Sequence, residues 1–203
     1  LESYTPLPWM PNTARFAADL FVDGDSYPFC PRTNLKRVLG QVREQGYLFN
    51  VGMEPEHFLV ARDADGSIQP WNPDLADTLI KPCYDYRSMA PAMDYLQELT
   101  RSLNGLGWGV YQTDHEDANG QYEINFDYQD ALTTADRITF FKMATSQIAK
   151  KYGAIATHMA KPFADQTGSG LHVHFHLADG ETGEGVFEDS SDKRGLGCSK
   201  LAY

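Results

Sequence analysis

Positive charge is scarce in this sequence. Its 203 residues include 17 Lys and Arg against 28 Asp and Glu, which gives a formal net charge of −11 at pH 7. No basic run is longer than a pair such as Lys150-Lys151, whereas binding to a phosphate backbone needs clustered cations. We therefore expect no nucleic-acid partner, and cations are the more natural ligands of so acidic a chain.

Cysteines and long apolar runs are also scarce. Cys30, Cys83 and Cys198 are odd in number and widely spaced, which fits neither a disulfide framework nor a CxxC metal site. The apolar runs fall well short of the ~20 residues that span a bilayer, and the N-terminus lacks the basic-then-apolar layout of a secretory signal. We expect reduced thiols, no membrane partner and a cytoplasmic protein.

Both ends of the sequence predict a piece of a longer protein. It begins at Leu1 without a methionine. It closes on GCSKLAY (197–203), where apolar residues return after a loop rich in Asp, Gly and Ser, as they do where a helix starts. We expect C-terminal sequence to be missing.

Three segments have helical spacing. The first begins at Pro31 and ends at Gly46, and its apolar residues predict an amphipathic, core-facing helix. The second runs from Ser88 to Gly105, and the third follows a cap at Thr133 or Thr134 and stops at Gly153.

Strand-like segments alternate with these helices. They are a short strand within 14–31 ended by Asp23-Gly24, a strand at 47–61, and two strands at 108–115 and 121–128 around an Asn119-Gly120 turn. Strands joined by hairpins and interrupted by helices predict an α+β fold, with a largely antiparallel sheet and flanking helices.

The motif TGSGLHVHFHLADG (167–180) alternates His172, His174 and His176 with apolar residues. Because successive strand side chains point to opposite faces, it predicts a strand with one apolar face and one face bearing three imidazoles. Neighbours on one face lie ~7 Å apart, close enough to line one site. A solvated sheet face that happens to use histidine is the alternative.

A first acidic cluster lies in VGMEPEHFL (51–59). Glu54 and Glu56 leave the same face of a strand as Gly52 and Phe58. Paired carboxylates in such apolar company repel each other unless a cation joins them. The other interpretation is an edge strand with ordinary surface glutamates.

A second acidic cluster flanks the turn of HEDANGQYE (115–123). Glu116 precedes the turn, and Glu123 follows it on the polar face of its strand, a face that suits solvent equally well. Four glutamates and a histidine row together form an oxygen-dominated ligand set, which Mg²⁺ or Mn²⁺ prefers over zinc or copper. The joint pattern predicts a site that grips nucleotide phosphates through metal.

Four motifs occur here in the same order as in the glutamine synthetase family, which this sequence resembles over nearly its whole length. They are PRTNLKRVL (31–39), MEPEHF (53–58), HEDANGQYEINF (115–126) and KPFADQTGSGLHVH (161–174). CYDYRS and DHEDANGQYEINF are most similar to the γ-glutamylmethylamide synthetase and type III-like branch. The resemblance implies that 1–27 end an N-terminal β-grasp domain and that 28–203 form the N-terminal part of the catalytic domain.

The resemblance implies an ATP-dependent ligase that forms glutamine, or a γ-glutamyl amide, from L-glutamate and ammonia or a small amine. The route passes through γ-glutamyl phosphate, with Mg²⁺ or Mn²⁺ holding the phosphates. By motif position, Glu56, Glu116 and Glu123 are implied ligands of one ion. Glu54 and His172 are implied ligands of the other, with a glutamate beyond the end of this sequence.

Further roles follow from the same resemblance. His174 is implied to contact an ATP phosphate, and Gly168 lies in the loop that receives the amino-acid substrate. His176 stands where the family often has a serine near the nucleotide, and we expect a structural or surface role for it. Thr167 replaces the asparagine of NGSG and Ala160 replaces a proline before Lys161-Pro162, and the first change bears on glutamate or amine recognition.

The resemblance also implies a homo-oligomer of stacked hexameric rings. Active sites then form between subunits, and an aspartate from the neighbour's N-terminal domain helps to deprotonate ammonia. Because that aspartate and the phosphate-stabilising arginines fall outside this sequence, we expect the 203 residues alone to bind metal weakly and to be inactive. No catalytic residue is assigned.

Two other functions fit the same residues. A metal-dependent hydrolase can use His172 and His174 as an HxH ligand pair on a strand. A sensor related to glutamine synthetase can keep the pocket after losing turnover. Retention of zinc or iron favours the hydrolase, whereas ready exchange of Mg²⁺ or Mn²⁺ favours the ligase.

Overall fold

The computed structural model describes residues 3–203. Leu1, on which the prediction about the N-terminus rests, and Glu2 lie outside the described residues. The helices are α1 (Pro31–Glu44), α2 (Tyr86–Met89), α3 (Met93–Asn104) and α4 (Ala131–Lys151), with a single 3₁₀ turn at Ala90–Ala92. The strands are β1 (Thr5–Pro6), β2 (Ala14–Arg15), β3 (Phe21–Val22), β4 (Asp25–Ser26), β5 (Tyr47–Arg62), β6 (Ile68–Pro70), β7 (Val110–His115), β8 (Gln121–Phe126), β9 (Gln129–Asp130), β10 (Ile155–Thr157) and β11 (Leu171–Asp179).

The 16-residue strand β5 organises the main sheet. Its first part pairs with β11 and β9, and its second part pairs with β8, β10 and β6. β7 extends the sheet beyond β8, and the strand pairs within 3–203 are antiparallel. The predicted α+β fold with a largely antiparallel sheet is confirmed.

Helices α3 and α4 cover one face of this sheet. The strand β8 turns Tyr122, Ile124 and Phe126 toward them, and these side chains are almost completely buried in one cluster with the apolar residues of α3 and α4. Burying a side chain of this size stabilises the fold by about 2 kcal/mol. Because side chains alternate along a strand, the polar residues of β8 must leave the opposite face.

The loop between β10 and β11, residues 158–170, covers part of that opposite face. Phe58 and Val60 of β5 pack there against Ala118 and the partly buried Phe163, in a second, smaller apolar cluster. Phe163 belongs to the loop between β10 and β11. This loop therefore closes one end of the polar face.

The helix α1 differs from the prediction. Its bounds and the left-handed Gly46 that follows it agree with the sequence pattern. It has no buried residue, and Val38 is 42% exposed. The expectation of a core-facing helix is wrong for the described residues, because Leu35, Leu39 and Val42 are only half-buried and Val38 is exposed.

The cap of α4 also differs from the prediction. Asp130, and neither Thr133 nor Thr134, is the N-cap, and its carboxylate accepts hydrogen bonds from the backbone N–H groups of Leu132 and Thr133. The buried Thr134 hydroxyl donates to the backbone oxygen of Val51 at 2.8 Å. That threonine ties the helix to β5 instead of capping it.

The short strand predicted within 14–31 is one arm of a hairpin. Phe21–Val22 pairs with Asp25–Ser26 around Asp23 and Gly24, whose φ values are +51° and +91°. Two central residues with positive φ match the twist of a two-residue hairpin.

The strand β11 is present as predicted, but its apolar face is open. Leu171, Val173 and Phe175 are 46%, 40% and 61% exposed. Alternation predicts which side chains share a face, but not whether another element covers that face.

Within residues 3–203, no helix combines the length and apolarity needed to cross a bilayer.

Candidate functional site

The face of the sheet opposite the helices carries the predicted site residues. The register of the central strands places Glu56 opposite Glu123 of β8, and Glu54 opposite His172 of β11. Paired residues in neighbouring strands leave the same face. The two parts of the sequence predicted to act together, MEPEHF and GLHVH, are therefore neighbours in one sheet.

The hairpin between β7 and β8 adds Glu116. This residue follows the last residue of β7, and its backbone N–H donates to the backbone oxygen of Gln121 at 2.9 Å. Gly120 takes the left-handed conformation that the turn requires, with φ +70°. The turn brings Glu116 back over the same face.

Two groups of potential ligand atoms result. Glu56, Glu116 and Glu123 form one group, and Glu54, Glu123 and His172 form the other. Within each group the ligand atoms lie within 4.8 Å of one another. Glu123 belongs to both groups, so the two are adjacent and share a carboxylate.

The three carboxylates of the first group repel one another. Burial, with the charges of Glu56 and Glu123, raises the pKa of Glu116 to about 7. Among residues 3–203, no lysine or arginine forms an ion pair with any of these three glutamates. Three clustered carboxylates without a cationic side chain fit a hard divalent ion, which prefers oxygen ligands.

Glu123 is more deeply buried than the sequence suggests. All six residues of β8 are buried, so its polar face is not the solvent-exposed surface we considered. The side-chain amide of Asn125 donates to Glu123 Oε1 at 2.8 Å. Burial, opposed by this hydrogen bond and assisted by Glu54 and Glu56, raises the pKa of Glu123.

Gln121 connects the first group to the loop before β11. Its Nε2 donates to Glu56 Oε2 at 2.6 Å and to the backbone oxygen of Gly168 at 3.0 Å. A Cβ on Gly170 would lie 2.7 Å from Glu56 Oε1, and a Cβ on Gly168 would lie 2.5 Å from a backbone oxygen in the same loop. Gly170 therefore lets the loop approach Glu56 closely, and Gly168 lets two parts of the loop approach each other.

Ion pairs mark the second group. Glu54 contacts His172 Nδ1 at 2.9 Å and His174 Nε2 at 3.1 Å, one imidazole on each carboxylate oxygen. The hydrogen bond with His172 is the main cause that lowers the pKa of Glu54, and it raises the pKa of His172. Both histidines are largely exposed, which leaves them open to a ligand.

A cavity of about 270 Å³ lies beside His174 and His176. Tyr111 and Tyr128 form part of its wall, and the ring of Tyr128 lies 6.0 Å from that of His176. The side-chain amide of Asn50 lies 3.3 Å from His176 Nδ1. The cavity adjoins the second ligand group and offers aromatic walls with polar atoms at one end.

Sequence reasoning named the ligand atoms but missed their supports. Gln121 and Asn125 hold Glu56 and Glu123 by hydrogen bonds of 2.6 and 2.8 Å. The signal was present, because both share the polar face of β8 with Glu123. The structure also brings Gly168 beside this site, through Gln121.

Comparisons with known proteins show what the chain is similar to. The sequence profile of the glutamine synthetase catalytic domain matches residues 28–203. The chain is 47% identical over 197 residues to the glutamate–methylamine ligase of Methyloversatilis universalis. This alignment covers 97% of this chain and 43% of the relative. It is 40% identical over 202 residues to a glutamine synthetase of Rhizobium leguminosarum bv. phaseoli, covering 100% of this chain and 45% of the relative.

A solved structure of a GmaS–ADP complex superimposes with a TM-score of 0.90 at 42% identity, covering 100% of this chain and 45% of that one. The chain thus spans less than half the length of the curated relatives it matches.

Proposed function

The chain belongs to the glutamine synthetase family, and we propose on that premise that its complete protein is an ATP-dependent ligase. It joins the side-chain carboxyl of L-glutamate to ammonia or a small amine, through γ-glutamyl phosphate. The observation that carries this proposal is the pair of ligand groups that share Glu123, built from residues that match the family's motifs.

The proposed metal ligands follow these groups. Glu56, Glu116 and Glu123 hold one divalent ion, and Glu54 and His172 contribute to the other. Mg²⁺ or Mn²⁺ bound there would neutralise negative charge on the nucleotide phosphates during transfer. Gln121 and Asn125 orient the carboxylates before any ion arrives.

Substrate contacts are proposed on either side of the ligand groups. His174, on the same face as His172, contacts an ATP phosphate. The loop that contains Gly168 receives glutamate, and Gln121 keeps that loop next to Glu56. A substrate carboxyl bound by the loop therefore lies close to the carboxylates that hold the metal.

The ligase reaction is tested by ADP release from the complete protein supplied with ATP, Mg²⁺ and L-glutamate, with and without ammonia. Release that requires both glutamate and the amine supports the proposal. No release with any amine, from protein that has assembled, would favour the sensor or the hydrolase. Bound zinc or iron after purification would distinguish the hydrolase.

Methylamine is the second candidate acceptor. It is favoured by the higher identity to the glutamate–methylamine ligase, 47%, than to the Rhizobium glutamine synthetase, 40%. The same assay with methylamine, ethylamine and ethanolamine in place of ammonia decides between them. A kcat/KM for ammonia that exceeds those for all three amines would make glutamine the product.

Glu123→Gln tests the shared ligand in the complete protein. The substitution keeps the size of the side chain but removes its charge, so both groups lose a ligand. We expect metal-dependent nucleotide affinity to fall by more than the ~10–100-fold typical of lost outer-shell partners. Glu181→Gln, an exposed residue beyond β11, is the matched control, and unchanged affinity in Glu123→Gln would contradict the assignment.

Assembly and location complete the proposal. The complete protein forms stacked hexameric rings in the cytoplasm, with residues 1–27 ending an N-terminal β-grasp domain and 28–203 opening the catalytic domain. The support is the family membership, since active sites in this family lie between subunits. Light scattering on the purified complete protein measures the mass, and a monomer under assay conditions would contradict the rings.

A further inference from the structure

Asp77 is a buried carboxylate on an exposed loop. The loop between β6 and α2 exposes Leu75 at 76% and Ile80 at 95%, whereas Asp77 is 5% exposed. Burying an ionised carboxylate is costly in free energy unless polar partners surround it. The site of this burial must therefore supply such partners.

Three donors surround the Asp77 carboxylate, one from the end of β7 and two from the turn between β7 and β8. Asn119 Nδ2 donates to Oδ1 at 2.8 Å, and Gly120 N donates to Oδ2 at 2.8 Å. His115 Nε2 lies 3.0 Å from Oδ2, which only accepts, so the ring donates. Burial alone raises the pKa of a carboxyl, but these hydrogen bonds outweigh it and hold the pKa of Asp77 below its ordinary value.

His115 links Asp77 to the backbone of the neighbouring residue, Glu116. Its ring is fully buried, and Nδ1 lies 2.8 Å from the backbone oxygen of Glu116. Asp77, at the other ring nitrogen, fixes where the imidazole lies. The backbone at Glu116 is thus held by a side chain that Asp77 itself holds.

The side of the Asn119-Gly120 turn that faces the sheet packs directly against β5. The backbone N–H of Leu59 donates to the backbone oxygen of Gly120 at 2.8 Å, and a Cβ on Gly120 would lie 2.7 Å from the Leu59 oxygen. Asp77 binds the turn from outside. The turn is therefore clamped between β5 and the loop that carries Asp77.

These contacts on both sides of the turn oppose electrostatic repulsion between carboxylates. Glu116 faces Glu56 and Glu123, and like charges this close push the turn away from the sheet. Asp77 belongs to neither group of ligand atoms in residues 3–203, so it acts from behind the site.

We propose that Asp77 is a positioning residue, which through His115 and Gly120 keeps the Glu116 carboxylate within reach of the ion that Glu56 and Glu123 hold. The proposal rests on the proposed function, because it takes these glutamates as metal ligands. Outer-shell residues that orient ligands typically change metal affinity by ~10–100-fold when substituted.

The test uses Asp77→Asn in the complete protein, with Asp74→Asn, an exposed aspartate of the same loop, as the matched control. Mn²⁺ affinity is measured by calorimetry, and kcat is measured at saturating Mn²⁺. We expect Asp77→Asn to bind Mn²⁺ ~10-fold more weakly, with kcat restored by excess Mn²⁺, and Asp74→Asn to match the parent.

The outcomes separate the two proposals. A parent that binds no Mn²⁺ and has no activity removes the proposed function, and this inference with it. A parent that binds Mn²⁺ beside an Asp77→Asn variant of equal affinity overturns the inference alone. A kcat that stays low at saturating Mn²⁺, with a lower unfolding temperature, shows a general structural role and also overturns it.

A milder variant covers the case in which Asp77→Asn does not fold. Asn119→Ser removes the hydrogen bonds that Asn119 Nδ2 donates to Asp77 Oδ1 and to the backbone oxygen of Leu79, and leaves those from His115 and Gly120 to Asp77. We expect a smaller loss of Mn²⁺ affinity, also restored by excess Mn²⁺. Unchanged affinity in that variant would count against the role of Asp77.

Discussion

At the scale of single residues, we expect the proposed ligand Glu116 to make metal binding depend on pH. Burial and two neighbouring carboxylates raise its pKa to about 7, and a protonated carboxyl must lose its proton before it binds an ion. In the complete protein we therefore expect Mn²⁺ affinity to rise with pH up to about 7 and to level off above it. Calorimetric titrations between pH 6 and 8.5 measure this.

Glu116→Gln is the control for that pH dependence. The amide cannot titrate, so the variant should bind more weakly and lose the part of the pH dependence that comes from Glu116, whereas the part due to His172, whose pKa is also raised, should remain. An inflection of the same size in the variant would assign the titration to another group.

Residue types in the sequence pointed to the proposed ligands but not to the polar contacts that hold them. Glu54 and Glu56 could be named because paired carboxylates beside apolar residues need an explanation. Asp77 could not be named, because it contacts His115 across 38 positions of sequence. Such a pairing depends on how the 72–85 loop lies against the turn, and no local pattern encodes that.

At the scale of elements, the start of α4 is set by Asp130. Its carboxylate accepts from two backbone N–H groups that have no partner within the helix. We expect Asp130→Ala to lower the free energy of unfolding by about 1 kcal/mol. Thr133→Ala is the matched control, because Thr133 resembles a cap in sequence but lies inside the helix.

Chemical denaturation of both variants measures the cap. Thr133→Ala should have an unfolding free energy close to that of the parent. A larger loss in Thr133→Ala than in Asp130→Ala would reassign the cap to the threonine.

Elements with strong periodicity were predictable, and their surroundings were not. Helix α1 ends at Glu44, close to the predicted stop at Gly46. Its burial was mispredicted because an amphipathic stripe shows which side is apolar, not whether a neighbour covers it. The apolar face of β11 is open for the same reason.

At the scale of the whole molecule, the buried His57 and the half-buried His158 limit stability in acid. His57 lies in the core with its Nε2 2.8 Å from the Tyr95 hydroxyl, and its ring is 5.8 Å from that of His158. Burial, with a smaller contribution from His158, lowers the pKa of His57 to about 3. Burial, with a contribution from Lys142, lowers that of His158 to about 4.

The sign of the effect follows from proton binding. Below pH 6.5 the unfolded chain protonates these histidines while the folded chain leaves them neutral, so stability falls as the pH falls. At pH 5 the contribution of His57 is about 2 kcal/mol of lost stability, at 1.36 kcal/mol per pH unit. Guanidinium unfolding at pH 7 and pH 5 measures this loss.

His57→Phe removes the titrating group from the core. Its loss of stability between pH 7 and pH 5 should be about 2 kcal/mol smaller than that of the parent. Because each protein is compared with itself at two pH values, any general destabilisation cancels. Equal losses in both proteins would show that His57 does not titrate on unfolding.

The overall fold was the most predictable level. Four ordered motifs and the alternation of helices and strands suffice for an α+β fold with an antiparallel sheet. The pairing of β5 with five other strands was not predictable, because a 16-residue strand leaves many registers open. The register is what brings Glu56 opposite Glu123.

The carboxylate of Glu123 makes the two proposed ions a single linked equilibrium. An ion in one group changes the charge and orientation of a ligand that the other group also uses. By thermodynamic reciprocity, each ion then alters the affinity of its neighbour by the same factor. The two stepwise dissociation constants therefore describe the two coupled sites together and not either site alone. A chelator that removes the more weakly bound ion also changes the affinity for the ion that remains.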